Sequence, residues 1–228
     1  MAAWGKGGDL SNVHSFSRLI LAAFAQAPYG SLAIAAVVVS QLASGCSRSQ
    51  AIPTYNPVAA AREALAAFDT NANGTLETSE AAASPSLTTA FTRIDSDQDG
   101  AISSAEIAAR IQGYQAAQIG LMPFHCTVTV AGMPLQNGTV TLVPETFLAG
   151  AVKPAVGTTS IDGIAAPIVE GEQFPAVACG LYRVEVSWQK DGREALPAQF
   201  NVNSTLGIEV APDVPNLERG VHFELKSP

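Results

Sequence analysis

The chain has 228 residues, room for one or two domains, and a formal net charge of −8 with a pI near 4.8. This acidic balance argues against nucleic acid as a partner, because phosphate binding needs clustered Lys and Arg, and it is compatible with cations. Apolar residues make up 47 %, enough for a core, but alanine dominates and aromatics reach only 7 %.

The N-terminus, residues 1–45, reads as an export signal. Lys6 and Arg18 face one acid, Asp9, and a long apolar stretch begins at residue 19. Gln26, Pro28, Tyr29 and Gly30 interrupt it, so its cleanest run is Leu32–Val39. That is shorter than the ~20 apolar residues of a membrane span and suits a signal-peptide core. The run ends in LASGC, Leu42–Cys46. Small residues directly before a cysteine resemble the lipobox of bacterial lipoproteins. The resemblance implies a lipid on Cys46 and a membrane-anchored protein of the cell envelope, periplasmic or at the surface. Secretion without a lipid is the alternative. Cys126 and Cys179 would then sit in an oxidising compartment, as a disulfide or as two buried thiols.

Residues 46–58 are polar, carry Pro53 and Pro57, and read as a tether. Residues 59–112 are alanine-rich with helical periodicity, and 113–123 read as a linker. Two acidic segments lie in the helical part, DTNANGTLETSE (69–80) and DSDQDGAISSAE (95–106). Both follow D-x-[DN]-x-[DN]-G-x5-E, the calcium loop of EF-hand proteins. Calcium is a hard cation that takes six to eight oxygens, and the backbone turns sharply at position 6, where glycine fits. The first loop offers Asp69, Asn71, Asn73, the Thr75 carbonyl, Glu77 and Glu80, with Gly74 at position 6. The second offers Asp95, Asp97, Asp99, the Ala101 carbonyl, Ser103 and Glu106, with Gly100 at position 6. Leu76 and Ile102, both at position 8, are the apolar residues that would pair the loops. A solvated acidic linker needs none of these features. The loops start 26 residues apart, and Pro85 with Ser84 as its cap forces a fresh helix between them. The exit helix of the first loop is therefore expected to be short, about residues 78–83. A fixed pair is expected rather than an opening switch. Loop 2, with four carboxylates against three, is expected to bind more tightly.

From residue 124 onward alternation replaces the helical period. Phe124, Cys126, Val128 and Val130 share one strand face, as do Tyr182, Val184, Val186 and Trp188. Leu206, Ile208 and Val210 share another, and so do Val221, Phe223 and Leu225. One apolar and one wet face per strand predicts an antiparallel β-sandwich over 124–228. The phrases VTVAGMPLQNGTVTLVPE (128–145), VGTTSIDG (156–163) and GLYRVEVS (180–187), with LPAQFNVNSTLGIEV (196–210) and VHFEL (221–225), carry a likeness. They resemble the carboxypeptidase-regulatory-like, or transthyretin-like, sandwich of bacterial surface lipoproteins, over about 124–226. Residues 164–179 depart from that pattern, where a weak strand is expected. The resemblance brings no catalytic residues.

No GxSxG, HExxH, phosphate loop or CxxC occurs in the chain. His125 and His222 are expected on outward strand faces. The expected whole is an α+β, two-part chain, an all-α EF-hand pair followed by an antiparallel sandwich. It is expected to bind Ca2+ and to reach the membrane through its lipid. The sandwich would contact an envelope protein or carbohydrate, with no enzymatic activity. An accessory subunit that presents ligands to an envelope enzyme is the rival reading.

Overall fold

The computed structural model describes residues 51–226. The signal segment, Cys46 and the start of the tether lie outside the described residues. Among the described residues no helix is long and apolar enough to cross a membrane. The fold is mixed α+β, with a helical first part and a strand-rich remainder.

Helix α1 spans Pro57–Phe68, with proline in its first turn and the Asn56 side chain accepting from the Ala59 N–H at 3.1 Å. It buries Ala60, Ala61 and Ala64, small side chains that let it pack closely on the last helix of this part. Helix α2 is a single turn, Thr78–Ala81, shorter than expected. The cause is Pro85. It disfavours helical geometry at Ser84, which is extended (φ −119°, ψ 106°) and caps α3, Pro85–Ile94. Helix α4 spans Ser104–Ala116 and opens with a capping box between Ser103 and Glu106.

The strands are β1 Thr75–Glu77, β2 Ala101–Ser103, β3 Met122–Pro123, β4 Cys126–Val130, β5 Met133–Pro134, β6 Thr139–Pro144, β7 Ala155–Thr158 and β8 Ile164–Ala165. They continue with β9 Ile168–Val169, β10 Ala176–Val177, β11 Gly180–Ser187, β12 Gln189–Lys190, β13 Arg193–Glu194, β14 Gly207–Val210 and β15 Val221–Leu225. One antiparallel sheet runs β14-β11-β6-β7-β9. In the other, β4 pairs with β15 along one edge and with β5 and β8 along the opposite one. The expected weak strand of 164–179 is three two-residue pieces, β8 to β10.

The antiparallel expectation fails at one pairing. Strands β15 and β4 run parallel, from Val221 beside Cys126 to Leu225 beside Val130. A parallel pair needs a long connection, and here everything from β5 to the 3-10 turn at Leu217–Arg219 lies between the two strands. The linker expectation fails too. Helix α4 runs into it, β3 pairs with β10, and the described residues, 51–226, belong to one compact unit. Even the tether is docked, since the buried Tyr55 donates its hydroxyl proton to the Cys179 carbonyl at 2.6 Å. Cys126 and Cys179 are both free and buried. The Cys179 sulfur lies 4.0 Å from the Met122 sulfur instead. Burial pushes the Cys126 thiol up to about 12 and, as the largest cause, Cys179 to about 11, so neither is a thiolate at neutral pH.

Alternation set the inner sheet face correctly: Tyr182, Val184, Val186, Ile208 and Val210 are buried. The outer face is not all wet. Leu181 and Glu209 are cross-strand partners on it, and α3 and α4 cover them. Helix α3 comes so close to β14 that a Cβ on Gly207 would lie 2.1 Å from the Pro85 carbonyl carbon. Glu209 is fully buried. Its Oε2 accepts from Arg93 Nε at 2.5 Å, and its Oε1 accepts from Arg110 Nε and the Tyr114 hydroxyl, each at 2.5 Å. Arg110 also donates twice to Asp213, at 2.6 and 2.9 Å. Burial works against the Arg110 charge, but the Asp213 and Glu209 carboxylates outweigh it and hold the guanidinium ionised.

Removing one partner of a buried ion pair typically costs ~3–5 kcal/mol, whereas a half-exposed pair contributes ~0–1 kcal/mol. Glu209→Ala is therefore expected to lower urea-unfolding stability by about the first amount, and Glu185→Ala, beside Arg183, by about the second. Equal losses in the two variants would show that Glu209 does not hold the helices to the sheet.

Candidate cation site

The two acidic loops join helix to helix and pair through β1 and β2. Leu76 lies opposite Ile102, and both are fully buried. The pairing holds the loops back to back. Gly74 and Gly100 have φ of +91° and +90°, which a side chain would strain, so glycine at position 6 is required by the backbone.

Loop 2 gathers carboxylates. One oxygen from each of Asp95, Asp97 and Asp99 lies within 4.8 Å of the others. Asp95 is 8 % exposed. Its Oδ2 accepts from the Gly100 N–H at 3.2 Å, while its Oδ1 is buried with no hydrogen-bond partner. Asp97 and Asp99 each accept one backbone N–H, from Asp99 and Ala101. Glu106 closes the loop. Its Oε1 accepts from the Ser96 N–H at 2.8 Å, and its Oε2 from the Ser103 N–H and hydroxyl at 2.9 and 2.8 Å. Burial pushes this carboxyl up, but the Ser103 and Ser96 hydrogen bonds outweigh it and hold it near 2, so it stays ionised in neutral and mildly acidic solution.

Loop 1 has the same frame and a different interior. Asp69 accepts from the N–H groups of Asn73 and Gly74 at 3.2 and 2.9 Å. Glu80 Oε1 accepts from the Thr70 and Asn71 N–H groups at 2.8 and 3.1 Å. The amides of Asn71 and Asn73 both donate to Glu77, at 3.1 and 2.5 Å, so positions 3, 5 and 9 satisfy one another. Thr75 and Ala101 begin the paired strands, which fixes their backbone.

The structure thus brings Asp95, Asp97 and Asp99 together, with Glu106 ending the same loop. This all-oxygen set could hold a hard divalent cation, and the unpartnered Asp95 Oδ1 is the atom whose burial asks for one. His125 and His222 form no such group. His222 meets the Thr129 hydroxyl at 2.9 Å, and the half-buried His125 lies against Gly220. Sequence reasoning missed the mounting of loop 2. Arg93 lies two residues before Asp95, Arg110 one helical turn after Glu106, and both clamp Glu209. Gly207 within a strand, and Leu181 on a face expected to be polar, were the available signals. Comparisons of this chain with protein-family models, with curated proteins and with solved structures find no match.

Truncating a buried Ile to Ala typically costs ~2–5 kcal/mol. Ile102→Ala is expected to lose that much and to speed amide exchange at Leu76 and Ile102, read by NMR. Unchanged exchange would mean that the apolar pair does not couple the loops.

Proposed function

We propose that loops 69–80 and 95–106 form a compact EF-hand pair that binds calcium. In this reading the protein is exported to the cell envelope and anchored through a lipid on Cys46. The strand-rich part is then a transthyretin-like sandwich that serves as a binding or structural module. One observation carries the calcium reading. Asp95, which has one buried and unpartnered oxygen, clusters with Asp97 and Asp99 inside a loop whose glycine and terminal glutamate stand where a calcium cage needs them. Zinc or copper would call for His or Cys ligands, and the loop has neither.

Support for a structural role, as opposed to a sensing one, comes from the surroundings. Helix α2 is one turn long, Leu76 and Ile102 lock the loops together, and Glu209 fixes both helices beside loop 2. A calcium sensor opens a groove between its helices, and clamped helices cannot. Calcium would instead relieve repulsion among carboxylates that already sit together.

Calorimetric titration of calcium into the purified protein is expected to show two sites. Exported modules bind with dissociation constants of ~10⁻⁴–10⁻³ M. Asp95→Ala should remove the tighter site and Asp69→Ala the weaker one. Chelator should lower the melting temperature of the parent and leave that of the double variant unchanged. No heat and no stabilisation up to millimolar calcium would refute the reading.

A further inference from the structure

Among the described residues the buried carboxylates are Glu80, Asp95, Glu145 and Glu209. Glu80 and Asp95 belong to the loops, and Glu209 holds two arginines. Glu145 is different. It is 8 % exposed and no ion pair involves it. Its Oε1 accepts from the hydroxyls of Ser84 and Ser86 at 2.7 and 2.6 Å, both buried at the first turn of α3. Its Oε2 has no donor among the described residues. That oxygen is not sealed in either, since Asp95 Oδ1 is the one buried, unpartnered side-chain oxygen or nitrogen among them. Glu145 instead lines a cleft of about 430 Å³, with Phe68, Thr146, Arg183, Val202 and Asn203 around it.

Burying a carboxylate without a counter-charge is unfavourable. Two hydroxyl donors and the positive end of α3 offset part of the cost. Arg183 lies on the same sheet face, but its Nε and Nη2 both donate to Glu185, at 3.1 and 2.7 Å. The guanidinium that lines the cleft is thus paired with Glu185 and not with Glu145.

We infer that this cleft binds a ligand carrying a primary ammonium group. The ammonium pairs with the Glu145 carboxylate, in a cleft that also offers the neutral side chains of Thr146 and Asn203 and the apolar ones of Phe68 and Val202. The free oxygen count selects the class. A guanidinium prefers both carboxylate oxygens in a fork, and here Oε1 is taken by two serines. A divalent metal needs several oxygen ligands, and one free carboxylate oxygen is too few. An ammonium is a compact point charge with three donors, which one carboxylate and two neutral oxygens satisfy. This site is separate from the acidic loops and does not rest on their binding calcium.

The test is NMR titration of the ¹⁵N-labelled full chain with n-butylamine hydrochloride, alongside 1-butanol, butyrate and methylguanidinium. Butylammonium is expected to give saturable millimolar shifts at Ser84, Ser86, Thr146 and Asn203, at least tenfold tighter than butanol or methylguanidinium. Glu145→Gln keeps an acceptor for both serines and should weaken binding at least tenfold. Should that variant not fold, the parent comparison decides alone. Free L-lysine and the peptide Ala-Lys-Ala separate the sources. Binding of lysine alone assigns the cleft to small amines, and binding of the peptide assigns it to a lysine on a partner protein. The inference is overturned if butylammonium gives no saturable shift, if methylguanidinium binds as well, or if Glu145→Gln binds equally.

Discussion

A carboxylate with no access to water fixes the relation between the two halves of this fold. Glu209 lies on a strand of the large sheet, yet its partners Arg93, Arg110 and Tyr114 all come from the helical part. Desolvating such an ion costs several kcal/mol, which only close and well-aligned partners offset. The helices therefore cannot lift from the sheet without exposing a charge that is held in the folded state by three donors at once. Tyr114 shows the same dependence: burial, then the Glu209 charge, push its hydroxyl well above the usual phenol range. Ser84 and Ser86 repeat the attachment at the other end of α3, on Glu145. One helix is thus pinned to the sheet at both ends, and at the Ser84–Ser86 end Gly207 lets the backbones approach.

That attachment changes what the acidic loops can do. The loop between two helices moves only as far as its helices move. With α3 and α4 both fastened to Glu209, the ends of loop 2 are set by the sheet and not by whatever the loop holds. Loop 1 has no equivalent. Its exit helix is one turn, and its asparagine amides fold back onto Glu77. The two loops share a backbone and differ in charge and in mounting, and the group of side chains that could hold a metal ion lies in loop 2.

Much of this was legible in the sequence where a signal is local. Glycine at position 6, glutamate at position 12 and an apolar residue at position 8 each answer to a backbone or pairing requirement within the loop, so their spacing could be read directly. The strand faces of Tyr182–Val186 and Phe124–Val128 were equally plain, because period-2 alternation reports burial on the inner side. What alternation cannot report is what covers the other side. In Ile208-Glu209-Val210 the glutamate has the place of a solvent-facing residue, and only the distant Arg93 and Arg110 make it a buried one. The linker failed for the same reason. A change in composition near residue 113 marks a change of secondary structure, and composition alone does not separate that from a boundary between bodies. The cysteines had no geometry in sequence at all, and the fold seats Cys179 against Met122.

The buried carboxylates also bear on how an acidic protein of net charge −8 stays folded. Each buried acid is met by a different device, and the device matches its place. Glu209 lies between elements and takes two arginines, which brace both helices at once. The loop acids lie where chain turns expose N–H groups, and they take those, leaving one Asp95 oxygen unmet. Glu145 lies at a strand end beside a helix N-terminus and takes two hydroxyls, which are neutral and leave its charge uncancelled. Arginine was available on the same sheet face, since Arg183 lies there, but it turns to the half-buried Glu185. The chain thus leaves a carboxylate without a cationic partner lining an open cleft at the seam between helices and sheet.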